Sequence, residues 1–254
     1  MIDIVSVKNM RDSETQVISD SIPSLELMRR AGIVLYKSVT WKGNVDILTG
    51  KGNNGGDGFA LACILANEGF SPVVYKVEDY VSDDAYYFEK QAKELGVIIN
   101  DYVPHLNQLD DADIIVDCLL GTGFKGEISG YYADAIKEIN DHLKAFVVSC
   151  DINSGVSGDY GPSNIYVKSD LTVSIQAIKK GMLVDSKEYL KRVTVGDIGV
   201  QLLHKEDSIV LQEDFKVKGD GKVYQEHGFS YYYDGENKIY QQPEWLKVRT
   251  LSYK

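Results

Sequence analysis

A three-layer α/β/α sandwich around a mostly parallel central sheet, with a small C-terminal appendage, is the fold this sequence predicts. Three observations carry it. Near-continuous Val/Ile/Leu runs, such as residues 113–120 and 145–152, have the composition of strands buried on both faces. Stretches of helical length separate them, as in a sheet built from successive crossovers. A loop with Gly50, Gly52, Gly55 and Gly56 lies between an apolar run and a helical pattern. In an open α/β sheet that arrangement aims backbone N–H groups at a nucleotide.

The elements follow in order. Residues 10–20 are polar and helix-compatible. Pro23 suits the first turn of a second helix, in which Leu25, Met28, Ile33, Leu35 and Tyr36 form an apolar stripe. Residues 45–48 are a strand, and the helix after the glycine loop is expected to open at Asp57 and run through Phe59, Leu61, Ala62, Ile64 and Leu65. A strand at 72–77, a helix at 82–95 closed by Gly96, and a short strand at 97–99 come next. Residues 113–120 are a strongly buried strand, 130–142 a helix, and 145–152, 171–175 and 193–198 three further strands.

The main domain is assigned to residues 1–204. From about Lys205 the apolar runs shorten and tyrosine becomes dense, at Tyr224, Tyr231, Tyr232, Tyr233, Tyr240 and Tyr253. Residues 219–221 and the pair Asp234 and Gly235 have the composition of hairpin turns. Residues 205–254 are therefore expected to form a β-rich or partly disordered extension.

With 254 residues, 44% hydrophobic, the chain suits one such domain with an addition. A formal net charge of −11 argues against a phosphate-tracking nucleic-acid surface. The first residues lack a basic segment and a cleavage site, and no run reaches the roughly 20 apolar residues of a membrane span. Cys63, Cys118 and Cys150 lie in apolar runs without a CxxC pair, which reads as buried reduced thiols in a cytoplasmic protein. His105, His142, His204 and His227 fall away from the strand ends and read as solvated.

Chemistry concentrates beyond three strands. Residues 50–55 fit G-x-G-x-x-G, a weak signal that its strand-before, helix-after context strengthens. Glu78 or Asp79 could hold a ribose, though both come late in the spacing. A P-loop is absent from the sequence. Asp117, followed by Gly121, Thr122 and Gly123, leaves the most buried strand, and Asp151 follows the next one, where a carboxylate can act as general acid or base. Asn54, Asp117 and Ser154 together offer an amide, a carboxylate and a hydroxyl. That set is thin for Mg²⁺ or Ca²⁺ and better suited to a monovalent cation. Lys179 and Lys180 read as a solvated turn that could still reach the same edge.

These residues, in this order, resemble the NAD(P)H-hydrate epimerases, Rossmann-like enzymes that repair hydrated nicotinamide nucleotides. The resemblance spans about residues 1–204. It is anchored at Met10 and Arg11, the LMRRAG segment at 27–32, GNNGGDG at 52–58, VDCLLGTGF at 116–124, DINSG at 151–155, Lys179 with Gly181, and DIG at 197–199. It implies that Asn53, Asn54, Gly55, Gly56 and Asp57, with Gly121, Thr122, Gly123, Phe124, Lys125, Gly126 and Glu127, line the substrate site. It implies that Asp151 contacts substrate and that K⁺ sits on Asn54, Asp117 and Ser154. Arg29 stands where the family carries Glu, Asn153 where it carries Pro, and residues 177–181 read AIKKG rather than APKPG.

The function so implied is epimerisation of the R and S forms of NADHX and NADPHX, with Asp151 moving the proton. No nucleic acid and no membrane is expected as a partner. A homodimer, and pairing with an ADP- or ATP-dependent dehydratase, are both compatible with it. A rival from another class is a non-catalytic nucleotide-binding or scaffold module, with the tyrosine-rich tail as a partner-binding element.

Overall fold

The structure, a computed structural model, describes residues 1–79, 82–218 and 221–254. Its elements are β1 (Ile2–Val5), α1 (Val7–Asp20), α2 (Ser24–Ser38), β2 (Val45–Thr49), α3 (Asn53–Asn67), β3 (Val73–Lys76), α4 (Asp83–Glu94), β4 (Ile98–Asp101), β5 (Ile114–Cys118), α5 (Gly130–Asp141) and β6 (Phe146–Cys150). After these come β7 (Val156–Ser157), β8 (Gly161–Pro162), β9 (Leu171–Ile175), β10 (Ile178–Lys179), β11 (Arg192–Asp197), β12 (Asp207–Val210), β13 (Tyr224–Glu226), β14 (Phe229–Asp234), β15 (Asn237–Gln241) and β16 (Lys247–Ser252).

An eight-stranded sheet in the order β16-β11-β9-β6-β5-β2-β3-β4 forms the centre. Every neighbouring pair in it is parallel. All five residues of β2, β5 and β9 are buried, which explains why their sequences are apolar rather than alternating. Odd and even positions nevertheless face different layers. Val45, Ile47, Ile114 and Val116 pack with Leu27, Met28, Leu35, Phe59 and Leu61 of α2 and α3. Leu48, Ile115 and Val147 pack on the other face with Ala135, Ile136 and Ile139 of α5. The architecture is thus the predicted α/β/α sandwich.

The smaller sheet runs β10-β1-β12-β15-β14-β13. Its apolar side, with Ile4, Phe229, Tyr231 and Tyr240, shares a core with Val193 and Val195 of β11. It therefore covers a part of the main sheet that α5 does not reach.

Three elements differ from the sequence reading. The N-terminal strand β1 was not foreseen; it pairs parallel with β10 and antiparallel with β12. Helix α3 opens at Asn53 rather than Asp57, with Gly56 N donating to Gly52 O at 3.3 Å. The glycines at its start mimic a loop in sequence, yet they are helical, and glycine is needed there because the neighbouring loop lies so close. A Cβ on Gly55 would lie 2.0 Å from Gly50 O. The buried face of α2 is Leu27, Met28, Ala31, Gly32, Val34 and Leu35, whereas Leu25, Ile33 and Tyr36 are only partly covered. Residues 205–254 are β-rich, as expected, and their strands join both sheets: β12 flanks β1, and β16 is an edge strand of the main sheet. The turn at Gly235 is present, with φ +67° between β14 and β15. The other expected turn, at 219–221, lies largely outside the described residues.

Candidate active site

The carboxyl ends of β2, β5, β6 and β9 converge on four loops, as sites in open α/β sheets do. Gly50 N donates to Cys118 O at 3.2 Å, locking the β2 loop to the end of β5. Gly121 packs against Asn54, whose Cβ would be 3.2 Å from a Cβ placed there. Leu120 N donates to Ser154 Oγ at 2.8 Å, joining the β5 loop to the β6 loop. Asn54, Gly121 and Ser154 are therefore neighbours across three loops.

Asp151 sits just past β6 with φ +63°, a left-handed backbone that Asp tolerates better than most residues. Its N–H donates to Val173 O at 2.8 Å, and its Oδ1 accepts from Ile175 N at 3.1 Å. The same oxygen is in close contact with Lys179 Nζ. Lys179 is 1% exposed, so the reading of Lys179 and Lys180 as a solvated turn fails for the first lysine. Its ammonium also donates to Ile175 O at 2.8 Å and Ser174 Oγ at 3.3 Å. A buried lysine needs this full set of acceptors. Lys180 instead pairs with Glu206 at 3.0 Å and Asp207 at 3.6 Å.

Two more carboxyls share the field of this pair. Asp57, one turn into α3, is half-buried, and Cys150 Sγ points to its Oδ2 at 3.9 Å. Burial, then the charges of Asp151 and Glu14, push the Asp57 carboxyl well above the ordinary range, against the pull of Lys179. Glu14, half-buried on α1, is pushed up to about 7, by burial first and then by Asp151, with Lys179 and Arg11 opposing. Three carboxyls thus share the field of one ammonium, and burial with mutual repulsion favours the neutral forms of Asp57 and Glu14. Sequence reasoning missed Glu14, since a carboxylate on a polar helix looks solvated.

Asp117 is fully buried. It accepts from Ser149 Oγ at 2.8 Å, Ser154 N at 2.9 Å, Leu119 N at 3.3 Å and from Ser154 Oγ. Burial pushes its carboxyl up despite these bonds. No ion pair among the described residues includes it. Asn54 is buried with both Oδ1 and Nδ2 lacking a hydrogen-bond partner. An unpartnered amide oxygen on Asn54, at the start of α3, and a buried carboxylate that has no ion pair among the described residues suit a cation with oxygen ligands. Among the described residues no three His, Cys, Asp or Glu side chains gather as a metal site, so any such ion would depend mainly on neutral oxygens.

The remaining expected substrate residues lie on one flank. Thr122, Phe124 and Lys125 line a cavity of about 320 Å³ with Arg11, Asp159 and Tyr160. Gly123, Gly126 and Glu127 are exposed beside it, and Asn53 is exposed at the start of α3. The structure does not bring Asp151 or Asn54 into that cavity's lining. Glu78, one of two ribose candidates, pairs with Lys51 at 3.0 Å, and the other, Asp79, pairs with Lys76 at 3.1 Å.

Two of the three departures from the family pattern have physical explanations. Arg29 lies on the surface, its guanidinium on both oxygens of Glu26 at 2.6 and 2.8 Å. Asn153 is fully buried. Its Nδ2 donates to Val167 O at 2.9 Å, Ser169 Oγ at 2.9 Å and Tyr189 O at 3.3 Å, and its Oδ1 accepts from Thr172 Oγ1 at 2.6 Å. Hydrogen bonds here do the fixing that a proline ring would otherwise do.

The family described as YjeF-related protein N-terminus matches residues 24–181. The chain is 32% identical over 202 residues to a bifunctional NAD(P)H-hydrate repair enzyme Nnr of Helicobacter pylori, covering 77% of this chain and 42% of the relative. It is 33% identical over 214 residues to an NAD(P)H-hydrate epimerase of Lentilactobacillus buchneri, covering 79% of this chain and 96% of the relative. The chain therefore spans about two fifths of the bifunctional relative and nearly all of the shorter one. The crystal structure of yeast ynu0, YNL200c, shares its fold at a TM-score of 0.63 and 22% identity, over 70% of this chain and 82% of that one.

Proposed function

Because the chain belongs to the family described as YjeF-related protein N-terminus, we propose that it is an NAD(P)H-hydrate epimerase interconverting the R and S forms of NADHX and NADPHX. The observation that carries this reading is the cluster of Asp151, Asp57 and Glu14 around the buried ammonium of Lys179.

The chemistry asks for such a cluster. The reactive carbon bears a hydroxyl beside the ring nitrogen. A carboxyl proton moves to that hydroxyl, the C–O bond breaks with loss of water, and the nitrogen lone pair forms an iminium. Water then adds to the other face and returns a proton to a carboxylate. Atoms and charge balance, and either configuration results. The carboxyls of Asp57 and Glu14, pushed toward the neutral form by burial, supply the acid, and Asp151, held by Lys179, faces the cationic ring. Asn53 to Asp57 and Gly121 to Glu127 are the substrate-binding segments in this reading, with backbone donors at the start of α3 toward phosphate.

Potassium belongs to the same proposal, on Asn54, Asp117 and Ser154. Bound there, it would supply the positive charge that Asp117 lacks and a partner for Asn54 Oδ1. A cytoplasmic setting suits the three buried free thiols, Cys63, Cys118 and Cys150; among the described residues no helix is long and apolar enough to cross a membrane. Pairing with a dehydratase is supported by the bifunctional relatives, and a homodimer is part of the expectation.

The test is incubation of one NADHX epimer with the purified protein, followed by chiral chromatography. Equilibration by the wild type and none by Asp151→Asn, with nucleotide binding retained, supports the reading. Tight binding without exchange by the wild type would replace it with the scaffold alternative.

A further inference from the structure

The opposite end of the main sheet, where its strands begin, holds a cavity of about 450 Å³. That is within the range of small-molecule sites. Its apolar lining comes from Val39, just after α2, and from Ile114, Phe146, Leu171, Val193 and Val248, at or next to the first residues of β5, β6, β9, β11 and β16. The last of these strands comes from the C-terminal extension, so the tail builds one wall.

Four cations also line it: Lys42, Arg192, Lys247 and Arg249. No Asp or Glu does. None of the four appears in an ion pair among the described residues. In a chain of net charge −11, four uncompensated cations around one cavity make a local field opposite in sign to that of the whole molecule. Two of them are positioned. Arg249 donates to Thr194 Oγ1 at 2.9 Å and Ser38 O at 2.7 Å, satisfying a carbonyl at the end of α2 that would otherwise repel an anion. The Arg192 guanidinium lies 5.5 Å from the centre of the Phe146 ring, at the boundary between the cationic rim and the apolar floor.

We propose that this cavity is a second ligand site, for a small amphiphilic anion: an apolar chain or ring carrying one carboxylate or phosphate. The floor takes the apolar body, and the four cations take the oxyanion. The site stands apart from the carboxyl-end cluster and does not depend on the epimerase reading.

Calorimetric titration of the full chain with octanoate, octyl phosphate and octan-1-ol tests it, alongside an Arg192→Ser, Lys247→Ser double variant. Both substituted residues are exposed, and circular dichroism checks that the fold is intact. One molecule of at least one anion should bind per chain, at least about tenfold tighter than the alcohol, and about tenfold weaker in the variant. The tighter anion identifies the head group. Saturating NADH should leave this binding in place. The proposal is overturned if neither anion binds, if the alcohol binds as well as the anions, if the variant binds undiminished, or if NADH displaces the ligand.

Discussion

Val5 and Lys179 face each other in a parallel ladder between β1 and β10. The first strand of the chain thus holds the backbone of the lysine whose ammonium meets Asp151. On the other side of β1, Asp3 is in register with Ser208 of β12. The extension and the N-terminus together brace one residue of the candidate site.

Lys179→Met should be costly in two ways. It leaves Asp151 without its counter-charge in a largely buried setting, a loss of about 2–4 kcal/mol in unfolding free energy. It should also slow epimerisation by about 100-fold, with little change in KM, because the charge facing the reacting ring is altered rather than the nucleotide contacts. Denaturant melts and single-epimer kinetics check both. A variant of normal rate would remove Lys179 from the chemistry.

The pH response isolates Glu14. Its folded-state pKa is raised from the ordinary 4.5 to about 7, chiefly by burial. The stability tied to the neutral form is therefore complete below about 4.5 and is lost as pH rises through about 7. Glu14→Gln, which stays neutral, should be more stable than wild type by about 1–3 kcal/mol at pH 8 and no more stable at pH 4. If the neutral carboxyl supplies acid, the wild-type rate falls across the same interval and the variant's does not. Melts and rates from pH 4 to 9 would show either pattern.

Asn153→Ala should cost about 2–4 kcal/mol, since it strands several buried partners at once. Asn153→Pro should fare no better, because the ring fixes φ but cannot reach Val167 O, Ser169 Oγ or Thr172 Oγ1. Chemical denaturation of the two variants decides it. Stabilisation by proline would mean that the polar network contributes little.

Much of this was legible in the chain, for reasons that vary by residue. β2, β5 and β9 could be read because both faces are buried and their sequences are nearly uniform. β1 could not, because four residues with an acid among them carry too little pattern. β16 reads KVRTLS and looks like a surface segment, and an edge strand can be polar. Asp151 and Asp117 stood out because they end apolar runs. Glu14 did not, and Lys179 did so only as a turn that could reach the site, since Asp151, whose charge each of them meets, lies far away in sequence. Asn153 looked like a lost proline because its replacement bonds reach 14 to 36 residues onward.

Potassium is testable without any turnover. If Asn54, Asp117 and Ser154 hold it, the melting temperature should rise with K⁺ by about 3–6 °C over tetramethylammonium at equal ionic strength, as binding to the folded state requires. Asn54→Ala should abolish the difference. Equal midpoints in both salts for the wild type would take the ion out of the proposal.

Two truncations separate the roles of the extension. Ending the chain at residue 243 removes β16 and leaves β11 as an open edge. Arg249 and its bonds to Thr194 and Ser38 go with it. The melting temperature should drop by about 5–10 °C and aggregation should increase. Epimerisation at low temperature should survive within about threefold, because β1 and β12 still hold Lys179 in place. Ending at residue 204 also removes β12 and Glu206, which accepts from Ser6 N and Oγ at 2.8 Å each and pairs with Lys180. That cut loosens β1, the start of α1 and the Lys179 segment together, so activity should be lost even where folded protein remains. Light scattering and single-epimer rates on the two truncations distinguish the cases. If the shorter chain keeps the activity that the longer one loses, bracing by β12 is the wrong account.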